Sequence, residues 1–164
     1  MSKQPPIVNL DDVTMESQGH GESFLASIGV VGDRIGMEKL GCRLVVLAPG
    51  KRAWPYHLHH ANEELFVILD GAGTLRYDGA RYPLRAGDIV AAPTGPGTAH
   101  QIVNTSEGEL RYLAISTMEE PDVAEYPDSG KIAAIAGAPP GRRPYPVFYV
   151  APQGAAVDYW DGED

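Results

Sequence analysis

The chain has 164 residues, one domain's worth of sequence. Its 43% hydrophobic and 21% charged residues describe a globular protein, and its 19 glycines and 14 prolines suit short strands and turns better than long helices. A formal net charge of −9 without any basic stripe argues against duplex nucleic acid and against an anionic membrane surface as partners.

Residues 1–22 read as a polar arm with Pro5-Pro6 and a short strand at Ile7-Val8. MSKQPPIVNLDD lacks the apolar stretch of a secretory signal, and no run approaches the roughly 20 apolar residues of a membrane helix. The single Cys42 can form no intrachain disulfide, so a cytoplasmic setting is expected. Nine short β-type runs follow over residues 23–116: SFLASIGVV, CRLVVLA, PYHLHH, ELFVIL, TLRYDG, RYPL, DIVAAP, HQIVN and LRYLAIS. Asp78-Gly79 is a strong hairpin signal among the turns between them, since both central residues of a type I′ turn need φ > 0. Without a helical period, these runs predict an antiparallel sandwich or barrel.

Residues 117–146 hold six prolines, which argues against a central strand there. PVFYV reads as one late strand and VDYWDGED as an aromatic, acidic tail. The extension over residues 117–164 is expected to pack on the barrel or on a partner subunit. In the run Glu63–Leu69, Glu64, Phe66 and Ile68 share one face, and Leu65, Val67 and Leu69 the other. Both faces are apolar and need burial. One can face a barrel interior. The other needs a second layer, the arms or another subunit, with a homodimer favoured.

The chemistry-bearing residues are histidines. His57 and His59 are two apart, which on a strand places both imidazoles on one face about 6–7 Å apart, suited to adjacent positions on one cation. Glu64, Gly71, Gly87, Pro93, Gly95, His100 and Asn104 follow in order. This set resembles the two motifs of the cupin superfamily, G-x5-H-x-H-x(3,4)-E-x6-G and G-x5-P-x-G-x2-H-x3-N. Fifteen residues separate Gly71 from Gly87, as in compact bacterial cupins. Two spacings depart from the pattern. Six residues separate Gly50 from His57, and four separate Gly95 from His100, although Gly97 restores the G-x2-H spacing. Both additions fall in turns, which tolerate insertion. The resemblance covers roughly residues 40–116.

The resemblance implies an all-β, cupin-type double-stranded β-helix, or jelly-roll, barrel. It also implies one divalent metal held by His57, His59, Glu64 and His100. Imidazole and carboxylate suit Zn, Mn, Fe, Ni, Co or Cu, and protein ligands that leave positions open mark a catalytic site. The spacing to Gly71 selects Glu64 over Glu63. His60, of opposite parity to His59, is expected to be exposed, and His20 to have no chemical role. Phe66 and Tyr56 are the candidate substrate-pocket residues. Trp54 either edges the pocket mouth or packs on the surface, and Lys51-Arg52 is a candidate anion contact. Gly71, Gly87, Pro93 and Asn104 read as turn residues, and Cys42 as a buried small hydrophobe.

Cupins include sugar-phosphate isomerases, dioxygenases, decarboxylases and binding modules, and the fold does not choose among them. The favoured expectation is a metal-dependent enzyme on a small polar, sugar-like substrate, with sugar-phosphate isomerisation first. A dioxygenase and a non-catalytic small-molecule-binding module are the alternatives. The sequence offers no phosphate-binding GxxxxGK[ST], no GxGxxG opening a helix and no recognisable nucleophile triad.

Overall fold

The computed structural model describes residues 5–139 and 144–163. The first four strands are β1 (Glu16–His20), β2 (Phe24–Val30), β3 (Leu40–Leu47) and β4 (Leu58–His59). Next come β5 (Glu64–Asp70), β6 (Ala72–Tyr77), β7 (Ala80–Arg85), β8 (Ile89–Ala92) and β9 (His100–Val103). The last are β10 (Leu110–Thr117), β11 (Asp122–Tyr126), β12 (Lys131–Ala136) and β13 (Val147–Pro152). One sheet runs β1-β2-β3-β10-β5-β8, a second β7-β6-β9 and a third β13-β12-β11-β4. All ladders between strands are antiparallel. Each of the nine runs read from the sequence contains a strand.

Two turns show why the chain reverses where it does. Asp78 and Gly79 join β6 to β7 with φ of 45° and 78°, as a primed turn requires. Gly71 joins β5 to β6 at φ 81°, and a Cβ there would stand 2.1 Å from the Glu109 carbonyl oxygen. Asn104 organises the turn before β10. Its buried amide donates to the Leu47 and Gly108 carbonyls and its oxygen accepts from the Ser106 amide.

Period two sorts β5 as expected. Phe66 and Ile68 enter the barrel core with Val45, Leu47, Leu110 and Tyr112. The opposite face is covered mainly from within the chain: Val8, Leu10, Val13 and Met15 of the arm pack with Leu44, Leu69, Leu113 and Ile115. Leu65 alone of that face is left 37% exposed.

The terminal segments differ from expectation in two ways. Ile7 is exposed and forms no strand. The arm instead supplies β1, whose polar residues pair with β2, including the exposed His20. The proline-rich stretch contains β11 and β12, both interior to their sheet. Its prolines bracket the strands, Pro121 just before β11, Pro127 just after it and Pro139 beyond β12, so no ladder amide is lost. The late strand is present as β13, and Val157, Tyr159 and Trp160 of the tail are exposed in the single chain. Among the described residues no helix is long and apolar enough to cross a membrane.

Candidate metal centre

The site forms where β4, β5 and β9 converge. His57 and His100 exchange backbone hydrogen bonds, His57 N–H to the His100 carbonyl at 3.1 Å and His100 N–H to the His57 carbonyl at 2.8 Å. That bridge brings their rings to 4.8 Å, and His59, two residues on, lies 5.0 Å from His57. Glu64 opens β5 on the core-facing parity and points at all three. The carboxylate Oε2 is 3.7 Å from His57 Nε2, 3.7 Å from His59 Nε2 and 2.8 Å from His100 Nε2. Ligand bonds of about 2.1 Å at right angles would set neighbouring donors about 3.0 Å apart; the two 3.7 Å spacings are wider than this, and His100 joins the group through its hydrogen bond to Glu64. His57, His59 and Glu64 could hold a metal ion, with ligand atoms all within 4.8 Å of one another.

The far nitrogen of each ring is also engaged. His57 Nδ1 meets the Pro55 carbonyl at 2.8 Å, His100 Nδ1 meets the Thr98 carbonyl at 3.0 Å, and His59 Nδ1 meets the Asp122 carboxylate at 2.6 Å. For His57 and His59 an acceptor on Nδ1 favours the tautomer with its proton there and turns the Nε2 lone pair inward, the arrangement typical of metal-ligating histidines, while His100 Nε2 is hydrogen-bonded to the Glu64 carboxylate at 2.8 Å.

Burial and mutual charge set the protonation. Burial, aided by His100 and His59, pushes His57 down to about 4 against the pull of Glu64. Burial opposes ionisation of Glu64, but the His100 hydrogen bond and the three imidazoles bring it down to about 2. Burial works against a charged His59 too, yet the Asp122 hydrogen bond and the two carboxylates raise it. Near neutral pH the cluster therefore presents a neutral His57 and an ionised Glu64, the forms that bind a cation. The chemistry and aim of these donors fit a divalent metal.

Beside the histidines lies a small pocket walled by Trp54, Phe66, Ile102 and Tyr112, with His57 and His100 at its edge. Burial, reinforced by Glu64, raises the Tyr112 phenol far above its ordinary range, so it stays protonated. Tyr56 stands apart from these walls. It packs with Leu58 and Ala99, its hydroxyl accepts from the Gly79 amide at 3.1 Å, and Arg76 lies over its ring. The anion contact expected at Lys51-Arg52 also falls outside the pocket: Lys51 donates to the Glu22 carbonyl and Arg52 lies over Phe24. His60 is half-exposed and paired with Glu125.

Three neighbours were not singled out from the sequence. Asp122 and Tyr126 come from β11, the latter with its ring parallel to His57 at 6.1 Å, and Tyr112 comes from β10. Tyr112 was within reach, since Leu110, Tyr112 and Ala114 share the inward parity of LRYLAIS. Nothing local marks Asp122.

The two opposed sheets and their antiparallel order are those of the double-stranded β-helix proteins, closed by a third sheet from the extension. Residues 43–116 match the cupin domain model and form a cupin domain. It is 31% identical over 121 residues to auxin-binding protein 1 of Arabidopsis thaliana, covering 68% of this chain and 58% of that protein. It is 31% identical over 93 residues to quercetin 2,3-dioxygenase of Bacillus subtilis, covering 51% of this chain and 28% of the enzyme. A crystal structure from Acidithiobacillus ferrooxidans, provisionally described as a sugar phosphate isomerase, superposes with a TM-score of 0.81 at 25% identity, over 93% of this chain and 95% of that one. The chain spans about half the length of the curated relatives it matches, 58%, 46% and 47% for three of them.

Proposed function

We propose that His57, His59, Glu64 and His100 hold one divalent transition-metal ion, and that the site is that of a metal-dependent enzyme on a small polar molecule. One observation carries this reading: three imidazole Nε2 atoms converge on one carboxylate oxygen while each Nδ1 is held by a separate acceptor. A bound ion would supply a Lewis acid with positions open beyond the four side chains. The chain does the rest. Pro55, Thr98 and Asp122 hold the imidazoles in place, the walls of Trp54, Phe66 and Ile102 exclude water, and the Tyr112 phenol remains a hydrogen-bond donor.

Sugar-phosphate isomerisation is the first reaction to test, supported by the likeness to the A. ferrooxidans protein over nearly the full length of both chains. Metal content measured by mass spectrometry, followed by assays on aldose and ketose phosphates, tests it. Turnover only in the metal-loaded protein is expected, and no turnover with any of the six metals removes the isomerase reading. A dioxygenase is the second reading. Among the described residues no Lys, Arg, Asp or Glu lines the pocket, which suits an apolar or aromatic substrate, and quercetin 2,3-dioxygenase is among the relatives. Oxygen uptake dependent on Fe or Cu separates the two, while ligand-induced stabilisation without product marks a binding module. The single buried Cys42 accords with a reducing, cytoplasmic setting. A homodimer would give the exposed Tyr149, Val150, Tyr159 and Trp160 a cover, and sedimentation as a monomer at micromolar concentration would refute it.

A further inference from the structure

We infer that Asp122, carried on the β11–β12 hairpin beyond the matched cupin domain, is a positioning residue for the metal centre: its carboxylate orients His59 and strengthens it as a ligand. The inference rests on the proposed metal site and goes further, because it makes the extension part of that site. Residues 43–116 contain all four candidate ligands, whereas Asp122 lies six positions past the end of that match.

Four observations support it. The Asp122 side chain is 0% exposed. Its Oδ2 accepts a hydrogen bond from His59 Nδ1–H at 2.6 Å, and its Oδ1 accepts from the Ala61 amide at 3.0 Å. A carboxylate withdrawn this far from water loses several kcal/mol of solvation unless charge and hydrogen bonds replace it. His59 supplies that partner, and no Lys or Arg is among the groups that stabilise Asp122.

The three histidines also differ. At Nδ1, His57 and His100 lean on neutral carbonyls, and of the three only His59 leans on a carboxylate. An anionic acceptor raises the electron density of the imidazole and tightens its hold on a cation, which a carbonyl does less well.

The hairpin is fixed at both ends for this task. Ala124 and Glu125 pair with His59 and Leu58 in the β11–β4 ladder. At the tip, Arg76 of β6 grips Asp128 with two hydrogen bonds of 2.7 and 2.9 Å. Asp122 is thus delivered by an element tied to two sheets.

The test is Asp122→Asn, which keeps the shape and leaves an oxygen for the Ala61 amide. Co2+ affinity is measured by competition against a chelator, alongside the unfolding temperature of the metal-free protein. The Co2+ Kd is expected to rise 10- to 100-fold, the usual cost of losing such a partner. A second readout needs no metal and no activity. In the metal-free wild type, labelled at histidine nitrogen, the His59 Nδ1 proton should resonate far downfield because it sits in a short charge-assisted bond. In Asp122→Asn that resonance should move upfield.

A folded Asp122→Asn with wild-type Co2+ affinity overturns the inference, even if its unfolding temperature falls, because that pattern marks a purely structural residue. Should the variant not fold, the wild-type spectrum decides: absence of the downfield His59 proton overturns the inference and its presence upholds it. Wild-type protein that binds neither Co2+ nor any of the other five metals overturns the metal reading, and this inference with it.

Discussion

Replacing His57 by alanine, with His60 replaced as the control, tests the centre most directly. The two residues are three apart in sequence and differ in every respect that bears on metal binding. His57 is only 12% exposed, desolvation holds it near 4 and so neutral at pH 7, and its Nε2 faces Glu64. His60 is 38% exposed and engaged by Glu125 at 2.7 Å. A metal at 1,000 times its Kd stabilises the folded state by about 4.1 kcal/mol. Losing a direct ligand should weaken binding by at least about 100-fold, the upper end of what losing a supporting partner costs. At the same metal concentration about 1.4 kcal/mol then remains. For a chain of this size each kcal/mol is worth about 2–4 °C. The metal-induced rise in Tm should therefore shrink by about 5–10 °C in His57→Ala and stay intact in His60→Ala. Differential scanning fluorimetry with and without metal reads this increment, and because each variant is its own reference, the cavity left by the lost ring drops out. A full increment in His57→Ala, or an equal loss in both variants, would refute the assignment of ligands to one strand face.

Gly71→Ala should cost about 3 kcal/mol or more, from left-handed backbone strain plus a Cβ driven against the Glu109 carbonyl, whereas Gly87→Ala, with φ 92° and open space, should cost only about 1–2 kcal/mol. Equal midpoints in urea for the two variants would contradict this. Val13→Asp should destabilise by several kcal/mol, because it puts a charge where the arm meets Leu44; full stability in the variant would show that the arm does not cover that sheet face. The Arg76–Asp128 clamp should respond to acid. Hydrogen bonding by Arg76 holds the Asp128 carboxyl below its ordinary value, so the clamp is complete above the unfolded pKa near 4 and is lost as pH falls through the lower folded value. Asp128 is 54% exposed, so the contribution to stability is at most about 1 kcal/mol. The loss should appear as falling amide protection at Glu125 and Tyr126 below about pH 4. Protection that Asp128→Asn leaves unchanged at neutral pH would sink the clamp.

The barrel was legible because its strands are short, alternate in burial and end in turns that demand particular residues. Asp78-Gly79 fixed one hairpin on backbone grounds alone. Parity placed Phe66 and Ile68 inward, and applied consistently it would also have removed Tyr56 from the pocket. Tyr56 and Leu58 share the face opposite to His57 and His59, and the structure packs them together away from the histidines. The proline count misled because it averaged over a window. Proline harms a sheet only where it replaces a ladder amide, and here the prolines fall between strands.

Asp122 was illegible for a different reason. Its bond to His59 spans 63 positions, and an acidic residue after a proline carries no local signal of what it will meet. A motif written in strand spacing can encode donors that one sheet face brings together, because parity and turn length settle their positions. It cannot encode the acceptor behind a donor when a separate hairpin carries that acceptor. In this chain two of the three acceptors, the carbonyls of Pro55 and Thr98, lie two residues before the histidines they hold and come with the same loops. Only the third is distant, and only the third is charged. On the proposed reading, the tuning of the centre is therefore separable from its ligand set: the extension would alter how His59 binds without any change to the four residues that the motifs specify.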